Sequence, residues 1–159
     1  MREVADLFNK SKENLKRVDY FAEILYPRIR DKKMLQKIFL DLVRCMKQIV
    51  EALILYEFLY KRIPEKKINL EIFKKIATKY LSTYEIKLIE EHIQKSEEIE
   101  KASVDFLKQD SYIVLKNNGN FLNFSIDDVK KSSYELKKIQ AKLEEKFRKD
   151  LLMSKYLKN

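Results

Sequence analysis

The chain has 159 residues, of which 45% are hydrophobic, so it is long enough for one domain with a real core and too apolar to be disordered. Its net charge of +9 at pH 7 favours anionic partners. One glycine, two prolines and one cysteine leave little room for long loops, and they exclude an internal disulfide or a cysteine-based zinc site.

Residues 1–159 read as a single helical domain. The first helix is expected from about Glu3 to Leu25, with an apolar stripe of Val4, Leu7, Leu15, Val18, Phe21, Ala22 and Leu25 at helical spacing. Pro27 disfavours helix at Tyr26 and should close it. Asp31 can cap a second helix to about Tyr60, with Leu35, Ile38, Phe39, Leu42, Val43, Met46, Ile49, Val50 and Leu53 as a wide stripe. From Ile49 onward it is apolar on most sides except at Glu51 and Glu57, which marks a central helix. That run is too short to span a bilayer, so membrane insertion is not expected.

Asn69 should cap a third helix, Leu70 to Leu81. Ser82 and Glu85 form a capping box that opens a fourth helix, to about Ile99. Residues 101–110 read as a connection or a further helical turn. Asn118-Gly119 then lies between two apolar runs, which predicts one β-hairpin over about 112–124 with a two-residue turn. That turn would pair Leu115 with Leu122 and Ile113 with Phe124 on the inner face. Tyr112, Lys116 and Phe121 would lie outside, as a protein-interaction surface. Ser125 should cap the last helix, whose buried stripe is Val129, Leu136, Ile139, Leu143 and Phe147. The apolar tail from Leu151 to Leu157 should extend it. The expected fold is all-α: an antiparallel bundle of four to five helices around residues 35–60, with one hairpin before the last helix.

Charge is unevenly spread. Residues 61–80 hold seven basic and two acidic side chains, a net of +5, and residues 82–100 hold two and six, a net of −4. The plainer account is that these segments neutralise each other. The other is an external polyanion. Lys61, Arg62, Lys66, Lys67, Lys74 and Lys75 form the denser patch, close in sequence to Tyr60 and Tyr80, and lysines interleaved with aromatics suit single-stranded nucleic acid. Lys131, Lys138, Lys142 and Lys149 share a narrow stripe on the last helix that suits a phosphate backbone.

Signals for chemistry are sparse. His92 is the only histidine, at the border of an apolar helix face, so no metal site and no catalytic residue is assigned. Cys45 sits among Leu42, Val43, Met46 and Ile49 and reads as a small buried hydrophobe. No glycine-rich phosphate cradle exists, and no cofactor is expected. The N-terminus is polar, without an apolar signal core, and with the lone cysteine it points to the cytoplasm.

Several stretches together resemble a family of small uncharacterised archaeal proteins. They are Tyr26-Pro27 followed by Asp31, Tyr56-Glu57 leading into Lys61-Arg62-Ile63-Pro64, Ser103-Val104-Asp105-Phe106, Tyr112-Ile-Val, and Ser125-Ile126. The helical part, with its long apolar second helix, also resembles the HEPN superfamily of up-and-down bundles. That resemblance implies ribonucleases, RNA-binding modules or partners of nucleotidyltransferases. HEPN nucleases carry an arginine a few residues before a histidine on one helix. Here Lys87 precedes His92 and that helix has no arginine, so a non-catalytic member is implied. The reading is a non-enzymatic basic module for RNA or another polyanion. The alternative is a protein-interaction or homodimerising adaptor that uses the hairpin edge or the C-terminal tail.

Overall fold

The computed structural model describes residues 1–102, 104–115 and 119–151, without the side chains of Val104, Asp150 and Leu151. Lys116, Asn117, Asn118 and the tail from residue 152 therefore lie outside the described residues. The chain is mostly helical, with α1 Arg2–Tyr20, a π-helical turn Phe21–Leu25, α2 Tyr26–Ile29, α3 Lys32–Leu59, α4 Leu70–Ala77, α5 Thr83–Lys101 and α6 Ile126–Leu151. Between α5 and α6 lie β1 Val104–Lys108, β2 Ser111–Leu115 and β3 Phe121–Ser125. The expected single hairpin is thus a three-stranded antiparallel sheet, ordered β1-β2-β3.

Helix α3 is central. Every residue of its expected stripe is buried, and so are Ala52, Ile54, Leu55 and Tyr56. The side-chain ties set the directions of its neighbours. Ser11 Oγ donates to the Cys45 carbonyl, and Gln140 Nε2 donates to Ser11 Oγ, so α1, α3 and α6 meet at mid-bundle. Phe124 stacks on Phe39 near the start of α3, and Phe147 packs on Tyr56 near its end. Helix α6 therefore runs parallel to α3. His92 lies over Phe39, while Glu85 meets Lys142, so α5 runs the other way. The result is an up-down-up-down bundle of α1, α3, α5 and α6. The sheet caps one end, and residues 60–77 close the other. Over the 28 residues of α3 the two ends are about 42 Å apart. Among the described residues no helix is long and apolar enough to cross a membrane.

Pro27 does not end the first helix. The turn before it widens to π-type bonding, with Tyr26 N–H donating to the Phe21 carbonyl, and the proline then falls in the first turn of α2. A proline there loses no helical hydrogen bond. The chain breaks only at Arg30, which adopts a left-handed φ of 47°. Asp31 stands at the N-cap of α3 without a side-chain cap bond. The other caps form as expected. Asn69 accepts from Glu71 N–H at 2.7 Å. Ser82 and Glu85 exchange both capping-box bonds. Ser125 and Asp128 make a second box at the start of α6.

The sheet corrects the hairpin in two ways. β1 occupies part of the expected connection, and its turn to β2 is Gln109-Asp110, with φ of 49° and 63°. Both central residues of a type I′ turn need positive φ, and neither is glycine here. The turn is held from outside: Tyr26 Oη donates to Asp110 Oδ1 at 3.0 Å, and Ile126 N–H donates to the Asp110 carbonyl at 3.1 Å. Second, β2 pairs with β3 one residue out of the expected register. Leu115 faces Phe121, Ile113 faces Asn123 and Tyr112 faces Phe124. Gly119, at φ 84°, lies in a connection spanning 116–120 and not in a two-residue turn.

A one-residue slip turns every side chain of a strand over. Phe124 is buried and Phe121 exposed, as expected, but Tyr112 is only 1% exposed. It lies on the inner face, stacked on Phe124, with its hydroxyl on the Asp105 carboxylate, and so leaves the interaction surface. Asp105 also takes Lys32 Nζ at 2.9 Å, which ties the sheet to the start of α3.

Candidate functional site: the basic end of the bundle

Helix α3 ends in a Schellman motif. Lys61 N–H donates to the Phe58 carbonyl at 2.9 Å and Arg62 N–H to the Glu57 carbonyl at 3.0 Å. The left-handed position is held by Lys61, at φ 56°, where glycine is the usual occupant. The apolar contact that normally closes this motif is replaced by an ion pair. Arg62 Nη1 lies 3.2 Å from Glu57 Oε1.

Glu57 is fully buried. Tyr80 Oη also donates to Oε1, and Lys79 Nζ donates to Oε2 at 3.0 Å. Burial would push this carboxyl up. The bonds from Tyr80 and Lys79 and the pairing with Arg62 outweigh burial and hold it below its ordinary value. Tyr80 is raised in turn, by burial and by donating to Glu57. The carboxylate thus clamps the loop after α3 to the α4–α5 junction. The Tyr80 ring packs in turn with Tyr56 and Phe147.

The clamp fixes a cationic surface. The Arg62 guanidinium lies 4.9 Å over the Tyr60 ring, and Tyr60 is 42% exposed. Beyond it, Lys66 and Lys67 are exposed in an irregular segment with Ile68, and Lys75 is exposed on α4. Among the described residues no carboxylate pairs with Lys61, Lys66, Lys67 or Lys75. Lys74 differs. It meets Glu71 and Glu90 at 3.4 Å each, and both raise its pKa. Neutralisation by the acidic α5 therefore reaches one lysine of this patch.

The α6 stripe is less coherent. Lys142 donates to Glu85 Oε1 at 2.6 Å, so it braces the capping box of α5. Lys138 lies 3.8 Å from Glu135 and over the Tyr134 ring. Lys149 is exposed near the basic end, whereas Lys131 is exposed near the sheet. The stripe and the loop patch do not form one surface.

Two residues with chemical potential are accounted for. Cys45 is buried and donates to the Asp41 carbonyl, and burial pushes its thiol up to about 12, so it is no nucleophile. His92 hydrogen-bonds the Leu88 carbonyl at 2.8 Å and Ser132 Oγ at 2.9 Å. Among the described residues no three His, Cys, Asp or Glu are placed to hold a metal.

Sequence reasoning missed Glu57, Tyr80 and Lys79 as a unit. One sign was present: a carboxylate set in an otherwise apolar run needs a partner if that run is buried. Tyr26, Glu57, Arg62, Asp105, Tyr112 and Ser125 each make a side-chain tie between segments or at a cap.

These features define a four-helix bundle with a sheet cap at one end and a clamped basic loop at the other. No family model matches the chain, and neither a curated protein nor a solved structure proved similar to it.

Proposed function

We propose that the protein is a non-enzymatic binding module for RNA or another polyanion, contacted by the loop after α3. The observation that carries this reading is the clamp. A buried carboxylate holds Arg62 over the exposed Tyr60, beside four lysines that no carboxylate neutralises among the described residues. Ordered cations lose less entropy on binding, and an exposed ring offers a face for base stacking. The contacting residues are Lys61, Arg62, Lys66, Lys67 and Lys75, with Lys149 within reach. The lone buried thiol supports a reducing cytoplasmic setting. The up-and-down helix order supports the likeness to non-catalytic HEPN bundles.

Binding of a single-stranded oligonucleotide, measured against salt, tests this. With five cations engaged, the slope of log K against log salt is about −3.5. Reversal of Lys61, Lys66, Lys67 and Lys75 to Glu should abolish binding. No retention of RNA at low salt overturns the reading.

A second reading is favoured by the outer sheet face. Phe121 is 64% and Phe106 41% exposed, with Ile113 and Leu115 half-buried between them. Such a face suits a protein partner or a second copy of the chain. Sedimentation of the protein and of Phe121→Ser distinguishes them: a dimer lost on substitution supports self-association, and a strict monomer excludes it.

A further inference from the structure

A cleft of about 300 Å³ lies between α5, α6 and the β3 edge. Its floor is apolar, with Phe39, Leu88, Phe124 and Val129, and His92 and Ser132 stand in its wall. Lys95 and Lys131 line it as well. Lys95 Nζ donates to the Asn123 carbonyl at 3.2 Å, and no carboxylate pairs with Lys131 among the described residues. Asp128 and Glu135 also line the cleft. Asp128 is occupied by the Ser125 N–H, and Glu135 lies against Lys138. A hydrogen bond leaves Asp128 charged, so the two lysines and two carboxylates of the lining balance, and Lys138 beside Glu135 leaves one positive charge over.

The hydrogen bonds at His92 couple this charge to a proton. The Leu88 carbonyl can only accept, so Nδ1 carries the hydrogen of the neutral ring. Nε2 must then accept, and the Ser132 hydroxyl spends its only hydrogen on it. Ser132 has nothing left to donate into the cleft. If His92 takes a second proton, Nε2–H donates to Ser132 Oγ instead. The hydroxyl hydrogen is then free to turn towards a bound anion, as a third donor beside Lys95 and Lys131.

We infer that this cleft binds a small phosphomonoester with an apolar portion, and that it takes up the ligand together with a proton on His92. The phosphoryl oxygens receive the two ammonium groups and the Ser132 hydroxyl, and the apolar part rests on the phenylalanine floor. Without ligand, burial and Lys95 hold His92 below its ordinary value, while the Leu88 carbonyl, Glu91 and Asp128 oppose them. Lys131 and Glu135 on α6 are the other charged groups lining the cleft, whereas α3 and β3 contribute only Phe39, Asn123 and Phe124. A dianion in the cleft favours the imidazolium, so by linkage protonation and binding strengthen each other equally.

Because His92 is the only histidine, its ring protons report on this cleft alone. The test is an NMR titration of His92 with and without phenyl phosphate. Phenyl sulfate, with its fixed charge, separates the proton on His92 from the ligand's own titration. Saturating ligand should raise the His92 midpoint by about one unit, equivalent to about tenfold tighter binding to the protonated form. Lys131→Gln should weaken binding several-fold. Ser132→Ala should shrink the shift in midpoint while leaving the fold intact. An unchanged midpoint at ligand concentrations that saturate the protein overturns the inference. So does binding that Lys131→Gln leaves untouched, or no binding of either probe.

Discussion

Arg62 and Glu57 are joined twice: the Arg62 backbone N–H donates to the Glu57 carbonyl at 3.0 Å, and its guanidinium reaches the Glu57 carboxylate at 3.2 Å. One residue pair thus closes the end of α3 and orients the cation on which the proposed binding surface depends. The carboxylate is inside the protein and the guanidinium is half outside it. The pair therefore transmits the rigidity of the core to the loop.

Glu57→Gln tests the clamp. Glutamine keeps the shape but loses the charge that Lys79 and Arg62 balance. A broken buried pair costs about 3–5 kcal/mol, and partly exposed partners reduce this to about 2–3 kcal/mol here. Thermal unfolding should shift by about 5–10 °C. RNA affinity should fall as well, because Arg62 is no longer held on Tyr60.

The same carboxylate sets an acid dependence. Its pKa in the folded protein lies below the unfolded value, so its contribution is complete above the unfolded value and is lost as pH falls through the folded one. The stability gap between the wild type and Glu57→Gln should therefore be widest near neutrality and should close under acid. Urea unfolding at a series of pH values measures this. A gap that widened on acidification would contradict the assignment.

Lys61→Gly should act in two directions. Glycine accepts φ 56° without the cost of about 1 kcal/mol that a side chain carries there, so the protein should become more stable by about that amount. The same change removes one cation from the proposed surface, and the salt slope should flatten by about 0.7. A denaturation curve and a binding curve on one variant check both.

The lysines of α6 should separate by role. Lys142→Gln loosens the tie to Glu85 and should lower stability slightly, with RNA binding unchanged. Lys66→Glu with Lys67→Glu should do the reverse. Equal effects of both variants on binding would mean that the stripe and the loop act as one surface.

Tyr112 and Phe121 test the strand register. Tyr112→Ala should cost about 3–5 kcal/mol, because it empties a filled site between the sheet and α3. Phe121→Ala should stay within about 0.5 kcal/mol. The register with two central turn residues puts both side chains outside and predicts a small effect at each.

The helices were legible because their signals are local. A 3.6-residue stripe over 28 residues, an asparagine cap at Asn69 and a capping box at Ser82 each act within one or two turns, and each appears where the chain places it. Where local chemistry is neutral, distant contacts took over. Tyr112-Ile-Val-Leu115 is apolar on both faces, so alternation cannot say which face is inner. The stack of Tyr112 on Phe124, which in turn stacks on Phe39, and the Asp105 bond settle it. β1 carried no glycine or asparagine turn, because Tyr26 and Ile126 hold Gln109-Asp110 in left-handed conformations that no local signal requires.

Basic composition was likewise plain in the chain, but which lysines are spent inside the fold was not. Lys142 and Lys74 look no different from Lys66 in sequence, yet they meet Glu85 and Glu90 across helices. The Glu57 clamp gathers donors 5, 22 and 23 residues away. Helical periodicity and caps depend on neighbours within a turn, so residue order alone is enough to write them. Register, ion pairing and the burial of one carboxylate depend on which segments meet, and that follows from packing the whole chain around α3.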